Sequence, residues 1–243
     1  MINFKYKFIF CHNEKAAGTS MGSSLMSIGS NQYISNNFAA ESVSGIWKRK
    51  TIDLIPAMEY DCPPNQHMQM SRYKQFFNID DFFTFGFVRN PMDRAFSLYI
   101  HQAKLLLDDQ SVSSDFIYNN QDKVIVNVDE TRSKSLGLAV GKHEFNFEFF
   151  IKVYLLNFGS LQHKQFCDKD NKILCKFIGR FENLQEDWHK VCDKIGIERT
   201  KLPTKNISNI GQYTYNDFFT SDLKEFFIEN YKDEFEVFGY EKG

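Results

Sequence analysis

The chain has 243 residues, of which 42% are apolar and 25% charged, enough for one substantial core and ordinary for a globular protein. A net charge of −2 excludes a global basic field for polymeric nucleic acid, so any anion site has to be local. The five cysteines include no Cys-x-x-Cys pair and signal neither a disulfide framework nor a zinc site, and no apolar run suits a signal peptide or membrane span. The expectation is a cytoplasmic chain with reduced thiols, no metal, and a core dominated by its 26 phenylalanines.

Phe4, Tyr6, Phe8 and Phe10 alternate with Lys5 and Lys7, which predicts a strand ending at Phe10. Beyond Gly18 the spacing of Met21, Leu25 and Ile28 becomes helical. The loop between them has Gly18 for close backbone approach and Thr19 and Ser20 to open the helix. Such a loop turns unpaired N–H groups and a helix dipole toward one point, and Lys15 adds a full charge, which describes an anion cradle. The other reading is an ordinary turn in which Thr-Ser merely caps the helix. A Walker A loop is excluded because the lysine precedes the glycine and the Gly-x4-Gly-Lys-Ser/Thr spacing is missing. A phosphate ligand is expected, and NTP hydrolysis is not.

Residues 29–66 are polar and rich in breakers, which predicts loops with short elements between them; Lys48-Arg49-Lys50 reads as a solvated run or a contact for an acidic substrate. A short helix follows to about Phe77, then an apolar run from Phe82 to Val88 that suits a central parallel strand. Pro91 opens a helix to about Leu107 with Phe96, Tyr99, Ile100 and Ala103 on one face. Residues 108–144 read as an insertion or substrate loop, Phe145 to Phe158 as a buried aromatic helix, and Asp168 to Lys172 as a turn lacking the glycine and distal glutamate of a calcium loop. A strand over Ile173 to Ile178, a helix from Leu184 ended by Gly196, a polar loop from Leu202 to Asn209, and a last helix capped by Thr220 or Ser221 complete the chain. Strands alternating with helices predict an α/β fold around a central, mainly parallel sheet, with ligands at the carboxyl ends of the strands, just past which stand Lys15, Arg89 and Arg180.

Two motifs read together, His12-x-x-Lys15-x-x-Gly18-Thr19-Ser20 and Phe87-Val88-Arg89-Asn90-Pro91-x-x-Arg94-x-x-Ser97-x-Tyr99, give the chain a family likeness. It resembles the carbohydrate sulfotransferases that use 3′-phosphoadenosine 5′-phosphosulfate (PAPS), of the Golgi carbohydrate and heparan 2-O type, here as a soluble, bacterial-type member. Gly179 to Leu184, the Leu202 to Ser208 loop and the segment from Tyr231 to Tyr240 extend the likeness to the C-terminus.

The resemblance implies a single P-loop-NTPase-like three-layer domain over residues 1–243. It implies that Lys15, Ala16, Ala17, Gly18, Thr19 and Ser20 hold the 5′-phosphosulfate, and that Arg89 and Ser97 hold the 3′-phosphate. An arginine paired with Asp93 and a helix-surface serine are the plain alternatives. Arg180, Lys205 and Ser208 are weaker candidates for closing over the nucleotide, Arg180 equally so as a partner of Glu182 or Glu186. His67 stands where relatives carry a histidine near the acceptor and is the expected base, with Glu59 and Asp61 as alternatives. Glu14 replaces the family's usual proline and sets an acid beside the phosphosulfate loop. The implied reaction is in-line sulfuryl transfer from PAPS to a hydroxyl of a glycan or other acceptor, without a metal, with Lys15 meeting charge on the leaving oxygens. The competing readings are a small-molecule kinase of related fold and a non-catalytic adenosine-bisphosphate-binding protein.

Overall fold

Apolar runs too continuous for a half-exposed sheet make the centre of the fold. Strand β2 (Phe8–Cys11) pairs in parallel with β6 (Phe83–Val88), and β6 pairs in parallel with β9 (Phe177–Arg180). The computed structural model describes residues 1–28, 31–35, 38–43, 46–50, 67–107, 114–120, 124–130, 133, 139–156, 161–203 and 214–242. The chain divides into two compact units, residues 1–89 with 161–206 and residues 90–160 with 207–243.

In the first unit a seven-stranded sheet has the order β5-β4-β3-β1-β2-β6-β9. Strand β1 (Ile2–Asn3) runs antiparallel to β2 and to β3 (Asn31–Ser35), and the antiparallel pattern continues through β4 (Phe38–Val43) and β5 (Ile46–Lys50). Over the strand expected from Phe4 to Phe10, residues 4–7 instead form the turn that joins β1 to β2. Asn3 Oδ1 accepts from the Tyr6 N–H at 2.9 Å and Lys7 takes a φ of 51°, so a local side-chain bond wins over the alternating pattern. The short elements expected within 29–66 are β3 to β5, with Lys48, Arg49 and Lys50 on β5 and not in a loop. Strand β9 starts later than the expected Ile173, because Ile173 makes only a bridge to Cys167 and the Lys176 N–H donates to the Thr84 hydroxyl at 2.9 Å.

Helix α1 (Gly18–Ser27) and the helix Leu184–Ile195 contribute Met21, Leu25, Trp188, Val191, Cys192 and Ile195 to one buried cluster with Phe8, Phe10, Phe85 and Phe87. Phe10 and Phe85 stack at 5.3 Å. Gly196, at φ 72°, ends the second of these helices in the left-handed conformation, as expected. Helix α2 (Met70–Phe76) packs against the helix Gln162–Phe166.

In the second unit, helix α3 (Pro91–Leu106) is capped by Asn90, whose Oδ1 accepts from the N–H groups of Met92 at 3.0 Å and Asp93 at 3.2 Å. The stretch read as an insertion contains the helix Ser114–Asn119 and a hairpin of β7 (Ile125–Val128) with β8 (Gly141–Glu144). The expected helix from Phe145 begins later. The Phe145 N–H is held by the Val124 carbonyl, Asn146 caps the short helix Phe147–Phe149, and this widens into a π-helix over Phe150–Leu155. Thr220 caps the helix Ser221–Asn230, as expected, and the helix Lys232–Glu236 follows.

Phe96, Tyr99, Phe145, Phe147, Phe150, Phe218 and Phe227 form this unit's core, with Phe96 and Phe218 only 4.3 Å apart. The Tyr99 and Tyr231 hydroxyls donate to the Phe145 and Ile151 carbonyls, and Arg94 faces Glu234 at 3.9 Å with both side chains buried. The fold is mixed α/β, with parallel strands β2, β6 and β9 at the heart of a sheet flanked by helices, as the sequence implies. Among the described residues no helix is long and apolar enough to cross a membrane.

Candidate active site

The carboxyl ends of β2, β6 and β9 lie side by side, since Cys11 pairs with Gly86 and Val88 with Arg180. The loop carrying Lys15, and the residues Arg89 and Arg180, therefore leave the sheet along the edge where parallel α/β sheets carry ligands.

Two residues of the first loop, Lys15 at φ 61° and Ala17 at φ 60°, occupy the left-handed region, which a side chain adopts only at a cost. Helix α1 begins at Gly18, one residue earlier than Thr-Ser would start it, and its N-cap is Ala17. Alanine has no acceptor to offer, so no side chain caps the first turn, and the capping alternative for Thr19 and Ser20 falls away. The N–H groups of Gly18, Thr19 and Ser20 point out of the helix start with no intrahelical acceptor available to them. Lys15 lies three residues before that positive end in the chain.

His12 lies beneath this turn. Its ring stacks on Phe10 at 5.7 Å, and a Cβ on Gly18 would come within 1.9 Å of it, so only glycine fits there. Burial, with smaller effects from His67 and the terminal amine, holds the imidazole down to about 3 and keeps it neutral. Among the described residues, His12 Nδ1 and Asn13 Oδ1 are buried side-chain atoms without a hydrogen-bond partner.

Arg89 is drawn onto the same loop. Its Nη1 donates to the Lys15 carbonyl at 3.2 Å, and its guanidinium lies over the Phe181 ring at 4.2 Å from the centroid. The strand end is fixed by Gln162, fully buried, whose amide donates to the Arg89 carbonyl and whose Oε1 accepts from the Arg89 N–H, both at 2.9 Å. The same Oε1 accepts from Asn13 Nδ2 at 3.1 Å, and Asn13 also donates to the Phe87 carbonyl at 3.0 Å, so one glutamine ties both loops together. One turn on, Gln165 donates to the carbonyls of His12, His67 and Met68 at 3.2, 2.9 and 3.1 Å.

His67 is brought to the loop by these bonds. Its ring meets that of His12 at 4.5 Å, its Nδ1 faces the His12 carbonyl at 3.4 Å, and its Nε2 faces Glu14 Oε1 at 3.7 Å. Glu14 thus points across to the imidazole.

A family model described as the sulfotransferase family matches residues 1–241 of the chain. The chain belongs to the sulfotransferase family. This membership makes it a transferase, supports sulfuryl transfer as its chemistry with a hydroxyl-bearing acceptor, and displaces the kinase reading. No curated protein and no solved structure gives a significant match.

Of the residues this sulfotransferase-family chain was expected to use, Lys15, Ala16, Ala17, Gly18, Thr19, Ser20, His67 and Arg89 lie within one local network. Arg180 ends the neighbouring strand, its N–H donating to Asp187 at 2.8 Å. Ser97 is buried on α3 in the second unit. Lys205, Ser208, Glu59 and Asp61 lie outside the described residues. Gln162, Gln165, Asn13 and Phe181 were not anticipated. Phe181 directly follows the strand beside β6, which is a usable signal, whereas the two glutamines stand in a five-residue helix without a sequence signature. Among the described residues no group of His, Cys, Asp and Glu is arranged to hold a metal ion.

Proposed function

We propose that residues 1–243 act as one sulfotransferase domain that moves a sulfuryl group from PAPS to a hydroxyl of a carbohydrate acceptor. The observation that carries this reading is the contact of Arg89 with the Lys15 carbonyl at the uncapped start of α1. It gathers a planar fork and three helix-end N–H groups at one mouth of the sheet, beside the loop that carries Lys15, a donor set suited to a ligand with anionic groups at two positions. The two left-handed residues and the glycine packed on His12 fix the loop before any ligand arrives, so little reorganisation accompanies binding.

PAPS supplies the sulfuryl group and a stable bisphosphate leaving group. Lys15 and the N–H groups of Gly18, Thr19 and Ser20 hold the 5′ end and meet charge gathering on the leaving oxygen. Arg89 takes the 3′-phosphate, and Arg180 flanks it. His67 receives the acceptor's proton at Nε2 as the acceptor O–H bond breaks, the new O–S bond forms and the S–O bond to the leaving bisphosphate breaks. The family likeness adds Ser97, Lys205 and Ser208 to the nucleotide contacts.

Thermal unfolding with adenosine 3′,5′-bisphosphate tests the donor side without an identified acceptor. At about 100 times its dissociation constant the ligand should raise Tm by about 5–11 °C. ATP and 5′-AMP should give much smaller shifts, and Arg89→Ala should abolish the difference while Arg89→Lys restores part of it. Equal shifts for ATP and the bisphosphate would overturn the reading. Incubation with PAPS and a mixed glycan pool, followed by mass spectrometry, separates the enzyme from a donor-binding protein by the presence of sulfated product.

A further inference from the structure

Glu14 stands immediately before the loop proposed to carry an anionic donor, where a carboxylate is electrostatically unwelcome. The structure gives it another partner. Its Oε1 is 3.7 Å from His67 Nε2, while the other ring nitrogen, Nδ1, faces the His12 carbonyl at 3.4 Å. A carbonyl only accepts, so this contact favours the tautomer with its proton on Nδ1 and leaves the Nε2 lone pair as the basic site. The imidazole itself is held at both ends of its segment: Gln165 donates to the His67 and Met68 carbonyls, and the ring rests on His12.

We propose that Glu14 stabilises the imidazolium that forms at His67 Nε2 once the acceptor's proton has arrived. The inference rests on the assignment of His67 as the base. Two other titratable groups near His67 carry no charge. His12 is held neutral by burial, and the Cys11 thiol, bonded to the Met68 carbonyl at 3.4 Å, is pushed up to about 12 by burial and stays protonated. Lys15, next along the loop, carries the opposite charge and belongs to the donor side.

Nuclear magnetic resonance of the ¹⁵N-labelled imidazoles reads the His67 tautomer directly and needs no acceptor. In the native protein, neutral His67 should show the Nδ1–H tautomer. In sulfuryl transfer from PAPS to the glycan pool, Glu14→Gln should lower kcat by about two- to fivefold with KM for PAPS unchanged, and Glu14→Asp should recover most of the loss. An unchanged kcat in Glu14→Gln, or the opposite tautomer of His67, would overturn the proposal. So would a Glu14→Gln variant that binds adenosine 3′,5′-bisphosphate more tightly at unaltered kcat, because the carboxylate would then act on the donor alone. The Nδ1–H tautomer of His67 in a protein that gives no sulfated product would sink the sulfotransferase reading instead, and with it the catalytic use of the pair.

Discussion

The two units of the chain bury polar groups in different ways. In the first, Asn13, Gln162 and Gln165 spend their amides on main-chain carbonyls and N–H groups at the carboxyl ends of β2 and β6, and two buried atoms in the loop remain unpartnered among the described residues. In the second, phenols reach single carbonyls across an aromatic cluster and one ion pair, Arg94 with Glu234, lies inside. Polar burial holds loops in a fixed, strained shape in one unit and joins elements of a core in the other. Damage to the first should therefore be read mainly in turnover, and damage to the second mainly in stability.

The largest expected effect falls on the second unit. Arg94→Ala removes the buried guanidinium that faces Glu234 and should cost about 3–5 kcal/mol in urea unfolding. Arg94→Met with Glu234→Leu should recover most of that, and a double variant as unstable as the single one would remove the ion pair from the comparison. Next comes Gln162→Ala, which removes two buried hydrogen bonds to the Arg89 main chain and should cost about 2–3 kcal/mol. It should also lower transfer activity beyond what its stability explains. A variant with full turnover would show that the glutamine does not shape the site.

A third expectation sharpens the contrast through pH. Folded His12 stays neutral down to about 3, whereas the unfolded chain protonates it below the ordinary imidazole value of 6.5. The unfolded form therefore takes up more protons as pH falls, and stability is lost from that value downward, by about 2 kcal/mol between pH 7 and pH 5. His12→Gln should flatten this fall, and an unchanged slope in urea unfolding would refute the assignment. The smallest effect belongs to Tyr231→Phe, which removes the bond to the Ile151 carbonyl and should cost about 1 kcal/mol with turnover unchanged.

How far the sequence revealed these features depended on the range of the interaction. The helix starting at Pro91, the end at Gly196, the cap at Thr220 and the strand before Arg89 were legible because each is set by a few adjacent residues. The first strand was misread because Asn3 bends the chain back through its own side chain, a local bond that the alternation of Phe4, Tyr6 and Phe8 conceals. Strands β3 to β5 were written in short runs separated by Asn36-Asn37 and Ser44-Gly45, pairs that signal two-residue connections and were passed over among so many polar residues. In the site, Lys15 and Arg89 declared themselves by position after a strand. That one contacts the carbonyl of the other depends on the left-handed turn between His12 and Gly18, which has no glycine at the residues that adopt it.

The short helix Gln162–Phe166 has a consequence for how the molecule assembles. Its glutamines bond to groups 149 and 153 residues earlier in the chain, at Asn13 and His12, and 98 and 73 residues earlier, at His67 and Arg89. Closing loops of that length is an entropic cost met before the contacts that reward it. On a ribosome, β2 and β6 are complete long before the residues that fasten their ends have been made. The mouth of the sheet is therefore among the last regions to acquire its final shape, and a nascent chain stopped short of Gln162 carries both motifs without the clamp between them.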